Sequence, residues 1–433
     1  MKRLFFVALV AMATMSYTAS AQFKVDKEGI QKGIAKSGAD VANEKKSVKA
    51  ATWLTHGDNY FKAATAATDG LYVGMDATSA AVMFGSNVSA ETVDVEGQPF
   101  QKYAFPYFDA YFKDGALVFW ESDYVVVEDA MDKAIESYST AYDKEASAAA
   151  KVSAKLTAVS DFYKASANNY FQARKYKDAA VEFEKSFEIS ILPALNVIDT
   201  ASVYNAGYLF TATNEFQDGY DALEKAAKYG YDADGQSHFF RGVCLIGLER
   251  FPEAKAVLIE GIEKYPANND IVEGLMSLYA TTGEDPSEVI PYVEKAIAGD
   301  PDNYVYYDGL GRIYDKLGDN DKCLAAFEKA AELAPGEFST QFNLGMLYIR
   351  KGNSMYDIIR ELPNASQEDY DNANSQQIVY FKNSIIPLEK AIAIRPESVE
   401  TLEALKNVSF RLRNEEGMQE KYDKYNQMLQ EIQ

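Results

Sequence analysis

The segment DNYVYYDGLGRIYDKLGDNDKCLAAFEKAAELAP, residues 302–335, contains the pattern that decides the fold. Its first half has apolar and small residues at spacings of three and four, which place them on one helical face: Tyr307, Leu310, Gly311 and Tyr314. Gly318 then interrupts the pattern. A second face follows, and a proline ends it: Cys323, Phe327, Ala330 and Pro335. The segment therefore predicts two antiparallel helices joined by a short turn.

Copies of this helix pair recur along the chain with a period of about 34 residues. Two upstream copies keep the same offsets, one with Gly207, Phe210, Gly219, Leu223 and Ala226, the other with Gly242, Leu245, Ala254, Leu258 and Gly261. Prolines follow the second helices at matching positions of the repeats: Pro266, Pro301, Pro335 and Pro396. Because each pair has an apolar stripe that only a neighbouring pair can cover, the pattern predicts a stacked array rather than one globular core.

The repeats predict the organisation of the chain. An array at 160–398 has units near 160–199, 200–234, 235–268, 269–303, 304–337 and 338–398, and capping helices follow at 399–433. The last array unit carries a polar insertion, 353–379, which either lengthens its two helices or forms a projecting loop.

The N-terminal part, 50–159, reads as a first unit that is split by an insertion. Trp53, Gly57 and Tyr60 match a first helix, and Ala130 and Ala134 suit a second. Between them, at about 70–127, four segments show strand patterns: Glu91–Val95, Phe100–Phe105, Tyr107–Phe112 and Leu117–Trp120. The turns Glu96-Gly97 and Asp114-Gly115 indicate hairpins, so we expect a small antiparallel sheet. A charged helix at 22–49 precedes this unit, and an Ala-rich helical connector at 143–159 ends it.

Residues 1–21 have the features of a secretory signal. Lys2 and Arg3 precede the apolar run Leu4–Met12, and Ala19-Ser20-Ala21 is a small-residue cleavage site. We therefore expect export, to the periplasm or the outer membrane. No later stretch has the about 18 apolar residues of a membrane span, so we expect none.

The formal charge of the chain, -22, argues against binding to nucleic acid. Cys244 and Cys323 fall inside helical repeat positions, which predicts core thiols and no disulfide. His56 and His238 also fall within repeats, and the chain lacks the usual catalytic, metal-ligating and phosphate-binding motifs. We therefore expect no enzyme activity, no cofactor and no metal.

These repeats resemble the tetratricopeptide repeat (TPR) family, and the whole arrangement is similar to exported TPR proteins of Gram-negative bacteria. The resemblance implies a mostly α fold, a TPR α-solenoid formed as a superhelix of antiparallel helix pairs, with a small β-sheet module near the N-terminus. The inserted segment, which begins Gly74-Met75, resembles the small helix-plus-sheet lipoprotein domain of outer-membrane assembly machinery. TPR arrays bind other proteins, so the implied function is a scaffold or adaptor of the cell envelope, with proteins or peptides as partners.

In TPR proteins the first helices line a concave groove, and the resemblance suggests which residues face it. Lys164, Asn168 and Asn205 occupy positions where the family's peptide-terminus clamp binds a carboxylate. The next repeat departs from the clamp, because Gln236 and Phe240 replace basic residues. An alternative is an aromatic groove that grips apolar side chains: Tyr204, Tyr208, Phe239, Phe240 and Phe342. Arg312 and Asn343 are polar candidates on the same surface.

A different class of function would place the activity in the inserted sheet. Tyr103, Tyr107, Tyr111 and Trp120 could bind cell-wall or carbohydrate material, with the helical array serving as a support. Removing 70–127 and comparing protein partners with glycan binding would separate the two classes.

Overall fold

The computed structural model describes residues 23–85, 90–95, 97–266 and 268–432, so the predicted signal segment lies outside the described residues. The chain divides into two compact units, the first up to Thr213 and the second from Asn214. The first unit contains α1 (Lys27–Val41), α2 (Ala50–Thr65), α3 (Ala77–Phe84), β1 (Ala90–Val95), β2 (Gln98–Ala104), β3 (Asp109–Lys113), β4 (Ala116–Glu121), α4 (Ala130–Lys144), α5 (Ala149–Gln172), α6 (Tyr176–Ser190) and α7 (Thr200–Ala212).

The second unit is helical throughout its described residues. It contains α8 (Phe216–Lys228), α9 (Gln236–Gly247), α10 (Phe251–Lys264), α11 (Asn269–Thr282), α12 (Ile290–Gly299), α13 (Tyr304–Leu317), α14 (Asn320–Leu333), α15 (Phe338–Arg360), α16 (Gln367–Ile394), α17 (Val399–Arg411) and α18 (Met418–Ile432). The predicted fold class is confirmed: the chain is a mostly α protein of TPR-like helix pairs with a small antiparallel sheet near the N-terminus.

Glycine lets the two helices of a repeat approach closely. A Cβ built on Gly311 in α13 would lie 2.7 Å from Cε1 of Phe327 in α14, so no side chain fits there. Gly57 in α2 has the same relation to Tyr138 in α4, at 2.5 Å from Cε1. Helices α2 and α4 therefore pack as a repeat pair although the sheet interrupts them in sequence.

The four strands pair in sequence order, each antiparallel to the next. The turn between β3 and β4 has Asp114 at φ 52° and Gly115 at φ 82°, the left-handed backbone of a type I′ hairpin. Strand β3 begins at Asp109, two residues later than predicted, because Phe105 to Phe108 form a turn around Pro106 that is closed by a 2.9 Å bond from Phe105 N to Phe108 O.

Side chains cover both faces of the sheet. One face packs in a cluster with Phe84 of α3: Phe105, Phe108, Phe112 and Leu117. The other packs against Ala173, just after α5, through Phe100, Tyr111 and Phe119. The sheet is therefore held between α3 and the end of α5 within the first unit.

Three segments differ from the sequence-based expectation or decide between its alternatives. The insertion at 353–379 lengthens both helices, since α15 continues to Arg360 and α16 begins at Gln367 after a capping box formed by Ser366 and Asp369. The connector predicted at 143–159 is not a separate helix, because α4 ends at Lys144 and α5 continues without a break from Ala149 to Gln172. In the described part of the charged segment, residues 23–49, only Lys27–Val41 is α-helical, and turns follow.

Candidate functional site: the first-helix face of the second unit

Helices α11, α13 and α15 are the first helices of three successive repeats. Helix α13 begins where the Asn303 side chain accepts a hydrogen bond from Val305 N at 3.2 Å, and it ends before Gly318 at φ 73°. Its buried face packs Leu310 and Ile313 into the core, which leaves Arg312 on the opposite side.

Arg312 joins two neighbouring first helices. Its Nε lies 2.9 Å from Oδ2 of Asp308, one turn earlier on α13, and its Nη1 lies 2.5 Å from Oε1 of Glu273 on α11. Asp308 is 2% exposed, so its charge depends on Arg312 for compensation. Its other oxygen, Oδ1, is buried and has no hydrogen-bond partner among the described residues.

Similar polar contacts connect the other first helices. Arg350 of α15 pairs with Asp315 of α13, and Arg411 of α17 donates to Asn353 Oδ1 of α15 at 2.5 Å. At the other end, Gln236 of α9 donates to Asp270 of α11. From α9 to α17, each first helix is therefore bonded to the next first helix by a side-chain contact.

Helix α15 adds an apolar stripe to this surface. Phe338, Phe342 and Met346 precede Arg350 at spacings of four, which places all four residues on one side of the helix. The rings of Phe338 and Phe342 stack with centroids 5.7 Å apart, and the Arg395 guanidinium lies 4.2 Å from the centroid of Phe338. Met346 is 39% exposed.

We call the surface formed by these side chains the first-helix face; it comprises Asp270, Glu273, Asp308, Arg312, Asp315, Phe338, Phe342, Met346 and Arg350. Four carboxylates and one guanidinium lie on α11 and α13, whereas the α15 part is apolar and ends at Arg350. Such a surface suits a peptide segment whose apolar residue packs on the α15 stripe. A basic residue of that segment would compete with Arg312 or Arg350 for the partly exposed carboxylates Glu273 and Asp315.

The predicted groove residues of the second unit lie on or beside first helices. Arg312 and Phe342 belong to the first-helix face, and Asn343 is half-buried next to Phe342. Phe239 of α9 packs against the core, and its ring lies 5.0 Å from that of Phe240. A binding role for these five residues stays a prediction.

In the first unit, Lys164 of α5 already has acidic partners. Its Nζ lies 3.2 Å from Asp161 and 3.5 Å from Asp199. Asn168 donates from its amide to Lys164 O at 2.9 Å, and Asn205 is exposed on α7. A carboxylate ligand would have to compete with both aspartates for Lys164, and the clamp stays a prediction.

The aromatic candidates of the first unit lie on α7. Tyr204 is half-buried and Tyr208 is 42% exposed, four residues further along the same helix. Their spacing places them on one side of α7. They are therefore accessible to different degrees, and their binding role also stays a prediction.

The four aromatic residues considered for glycan binding do not form one platform. Tyr111 is 7% exposed, stacks on Phe119 at 4.2 Å and donates its hydroxyl to Glu121 at 2.7 Å. Tyr103, Tyr107 and Trp120 pack instead in the cluster on the α3 side of the sheet. Flat stacking of a sugar on all four would need them on one open face, which the sheet does not provide.

Both histidines take part in helix packing. His56 shares a 2.8 Å hydrogen bond with the Ser37 hydroxyl, between α2 and α1. His238 of α9 is 1% exposed and lies 3.7 Å from Glu260 of α10, and burial lowers the pKa of its imidazole. In the described part of the chain no group of three or more His, Cys, Asp or Glu residues is arranged to hold a metal ion.

Both cysteines are buried free thiols, as the sequence predicted. Burial raises the pKa of the Cys323 thiol to about 12. No helix in the described residues combines the length and apolar character that crossing a bilayer needs.

The acidic partners of Arg312, Asp308 and Glu273, are not among the predicted groove residues. Asp308 precedes Arg312 by four residues, or about one helical turn, and this spacing predicts an ion pair. The contact of Arg312 with Glu273 joins different repeats, so it depends on how the two helices are aligned. That alignment is visible only in the structure.

Comparison with known proteins agrees with the repeat architecture. Residues 304–337, which form α13 and α14, match the family model of the tetratricopeptide repeat. This segment is one helix pair of the array, and it is similar to a tetratricopeptide repeat. Among solved structures it resembles a TPR repeats protein from Bacteroides fragilis at 17% identity, over 58% of this chain and 98% of that one, with a TM-score of 0.28. It also resembles the APC/C hetero-tetramer Cut9-Hcn1 at 14% identity, over 65% of this chain and 49% of that one, with a TM-score of 0.32.

Two curated relatives are components of named assemblies. Coatomer subunit epsilon of Dictyostelium discoideum is 32% identical over 111 residues, which is 25% of this chain and 33% of that protein. BBSome complex member bbs-4 of Caenorhabditis elegans is 28% identical over 185 residues, which is 40% of this chain and 37% of that protein. The chain thus spans little more than a third of the length of these relatives.

Proposed function

We propose that this chain is a non-catalytic protein-protein interaction scaffold of the cell envelope, which binds peptides or partner proteins on its first helices. The first-helix face supports this proposal, because it places an accessible apolar stripe beside a row of carboxylates in the second unit. The relatives named as a coatomer subunit and a BBSome complex member support a role in assemblies.

Met346 is the residue that supports this proposal most directly. A solenoid repeat needs large apolar residues between its helices, but it does not need one on the exposed side of a first helix. Met346 is 39% exposed there, between Phe342 and Arg350 on the same side of α15. A flexible thioether at such a position suits contact with a partner's apolar side chain.

A cross-linking experiment in the native host tests this proposal. A photo-reactive amino acid replaces Met346 in one version of the full chain and Ile386 in the other. Ile386 is a matched control because it is 63% exposed but lies on a second helix, α16. We expect a discrete protein adduct at position 346 that becomes weaker when Glu273→Gln removes one partly exposed carboxylate of the first-helix face and leaves the Arg312–Asp308 pair in place. Equal adducts at both positions, or none at 346, would contradict the proposal.

The cell-envelope location is tested separately. The full chain and a chain that lacks residues 1–21 are produced with the same C-terminal tag, and the cells are fractionated. We expect the full chain in the periplasmic or outer-membrane fraction and the shortened chain in the cytoplasm. If both are found in the cytoplasm, the envelope assignment is wrong, while the cross-linking result still decides whether the first-helix face binds proteins.

A further inference from the structure

The two edges of the β-sheet in the first unit differ in how their backbone groups are covered. At the β4 edge, Gly74 N donates to Leu117 O at 2.7 Å and Leu117 N donates to Met75 O at 2.8 Å. Further along, the Asn169 side chain bonds both backbone groups of Trp120. This edge is therefore closed to a further strand.

The β1 edge is open in the part of the chain that the structure describes. Strand β1 pairs with β2 over Ala90–Val95, and no other described segment pairs with it as a strand. Ala90, Glu91, Thr92 and Asp94 are exposed. In an antiparallel strand, alternate residues direct their N–H and C=O groups away from the paired strand, so β1 offers a row of unused donors and acceptors.

The side chains of β1 indicate which strand could pair there. Glu91 and Val93 lie on one face of the sheet and Asp94 on the other, because successive side chains alternate. A second copy of β1, paired antiparallel in a register centred on Glu91 or on Asp94, would place two like carboxylates opposite each other, which is destabilising. The formal charge of -22 adds a general repulsion between copies. A strand that places lysine or arginine beside Glu91 and Asp94 is instead attracted to β1, because opposite charges then face each other.

We propose that the outer edge of β1 binds an extended basic segment of a partner protein, which adds to the sheet as a further strand. The segment carries lysine or arginine at the positions that neighbour Glu91 and Asp94, and an apolar residue next to the half-buried Val93. Main-chain hydrogen bonds to β1 supply binding energy, and the two carboxylates select the charge. This site is separate from the first-helix face and does not depend on it.

Binding of a synthetic peptide to the full chain tests the proposal. The probe is a fluorescent nine-residue peptide that contains Lys-Val-Thr-Lys, which in antiparallel pairing places a lysine beside each of Asp94 and Glu91 and the valine beside Val93. Binding is followed by anisotropy. Two further peptides carry backbone N-methyl groups on alternate residues, one in each phase, so that each lacks the N–H groups of one edge. Because strand addition uses only one edge of the peptide, we expect one phase to bind about tenfold more weakly and the other to bind nearly as the parent does. Equal binding of both phases would show a purely electrostatic contact and overturn the proposal.

Charge reversal on β1 is the second test of the proposal. We expect the double variant Glu91→Lys and Asp94→Lys to weaken binding about tenfold or more. The control, Asp123→Lys and Glu128→Lys, changes the net charge equally at exposed positions after the sheet, and we expect less than about twofold loss. Similar losses in both variants, or no detectable binding of the parent peptide at low salt, would also overturn the proposal. If the β1 variant does not fold, the N-methyl comparison on the unchanged chain decides.

Discussion

The Asn169 side chain hydrogen-bonds the backbone of Trp120 at both of its polar groups. Trp120 N donates to Asn169 Oδ1 at 2.9 Å, and Asn169 Nδ2 donates to Trp120 O at 2.7 Å. An amide side chain thus takes the place that a neighbouring strand would occupy at the edge of β4. Since Asn169 lies on α5, this pair connects the inserted sheet to the repeat helix.

We expect Asn169→Leu to destabilise the first unit by about 1–3 kcal/mol, because it leaves two backbone groups of Trp120 without partners. Asn168→Ala is a matched control, since that exposed amide bonds only within its own helix, to Lys164 O, and should cost less than about 0.5 kcal/mol. Amide exchange at Trp120, measured by NMR together with urea unfolding, checks both variants. Unchanged exchange at Trp120 in Asn169→Leu would show that the sheet does not depend on this pair.

Two glycines in α13 should respond differently to alanine. A Cβ at Gly311 would meet the Phe327 ring at 2.7 Å, so we expect Gly311→Ala to destabilise the second unit by about 1–3 kcal/mol. A Cβ at Gly309 meets only Val272 Cγ1 at 3.5 Å, an ordinary contact, so Gly309→Ala should be neutral or stabilising by up to about 1 kcal/mol. Urea unfolding of both variants measures the difference. Equal changes in the free energy of unfolding would mean that α13 and α14 leave room for a methyl group at Gly311.

His238 should make stability depend on pH. Burial lowers the pKa of its imidazole; Arg241 and Lys264 also lower it, while Asp232 and Glu260 raise it. Because the folded state binds the proton less readily than the unfolded state, this contribution is present above the unfolded pKa of about 6.5 and is lost as the pH falls below it. We expect the urea midpoint of the second unit to decrease from pH 7.5 to 5.5, and His238→Gln to reduce that decrease.

His56→Gln is the comparison for this experiment. Burial also lowers the pKa of His56, but this residue lies in the first unit, so its removal should leave the pH dependence of the second unit unchanged. If His238→Gln keeps the full decrease between pH 7.5 and 5.5, other groups cause it.

Much of the fold could be predicted from the sequence because it depends on spacing within a repeat. Leu310, Gly311 and Phe327 have offsets that recur, and the same offsets identified α2 and α4 as a pair although the sheet separates them. The hairpin turn at Asp114-Gly115 could also be predicted, because these residue types determine the local backbone conformation.

Contacts between elements that are far apart in sequence could not be predicted from the sequence. Nothing local shows that Asn169 binds Trp120, because this contact depends on how the sheet docks on α5. Tyr111 lies on the face opposite Trp120 because of the β3–β4 register and the bulge next to Tyr111. The polar insertion at 353–379 could not be assigned either, since helix extension and loop formation accept similar residues. Its capping box at Ser366 became recognisable only with the helix start in place.

The free cysteines should resist modification in the native state. Cys323 is fully buried, and burial raises the pKa of its thiol to about 12, so very little of the reactive thiolate forms at pH 8. We expect a maleimide reagent to label neither Cys244 nor Cys323 within the lifetime of the folded state, and both in urea. Mass spectrometry of tryptic peptides distinguishes the two sites. Rapid native labelling at Cys323 would mean that α14 opens locally.

The ion pairs of the first-helix face should differ strongly in their effect on stability. Arg312→Ala removes the partner of Asp308, which is 2% exposed, so we expect a loss of about 2–4 kcal/mol. Arg350→Ala breaks the pair with Asp315 near the surface, where the arginine side chain is 52% exposed, and should cost about 0–1 kcal/mol.

A second substitution identifies the cause of the Arg312 effect. If the cost comes from an uncompensated buried charge, Asp308→Asn in the Arg312→Ala background should recover part of the lost stability, because the neutral amide does not require a cation. Urea unfolding of the single and double variants gives the coupling. No recovery in the double variant would instead assign the loss to the contact of Arg312 with Glu273, and the first-helix face would then be held together mainly between repeats.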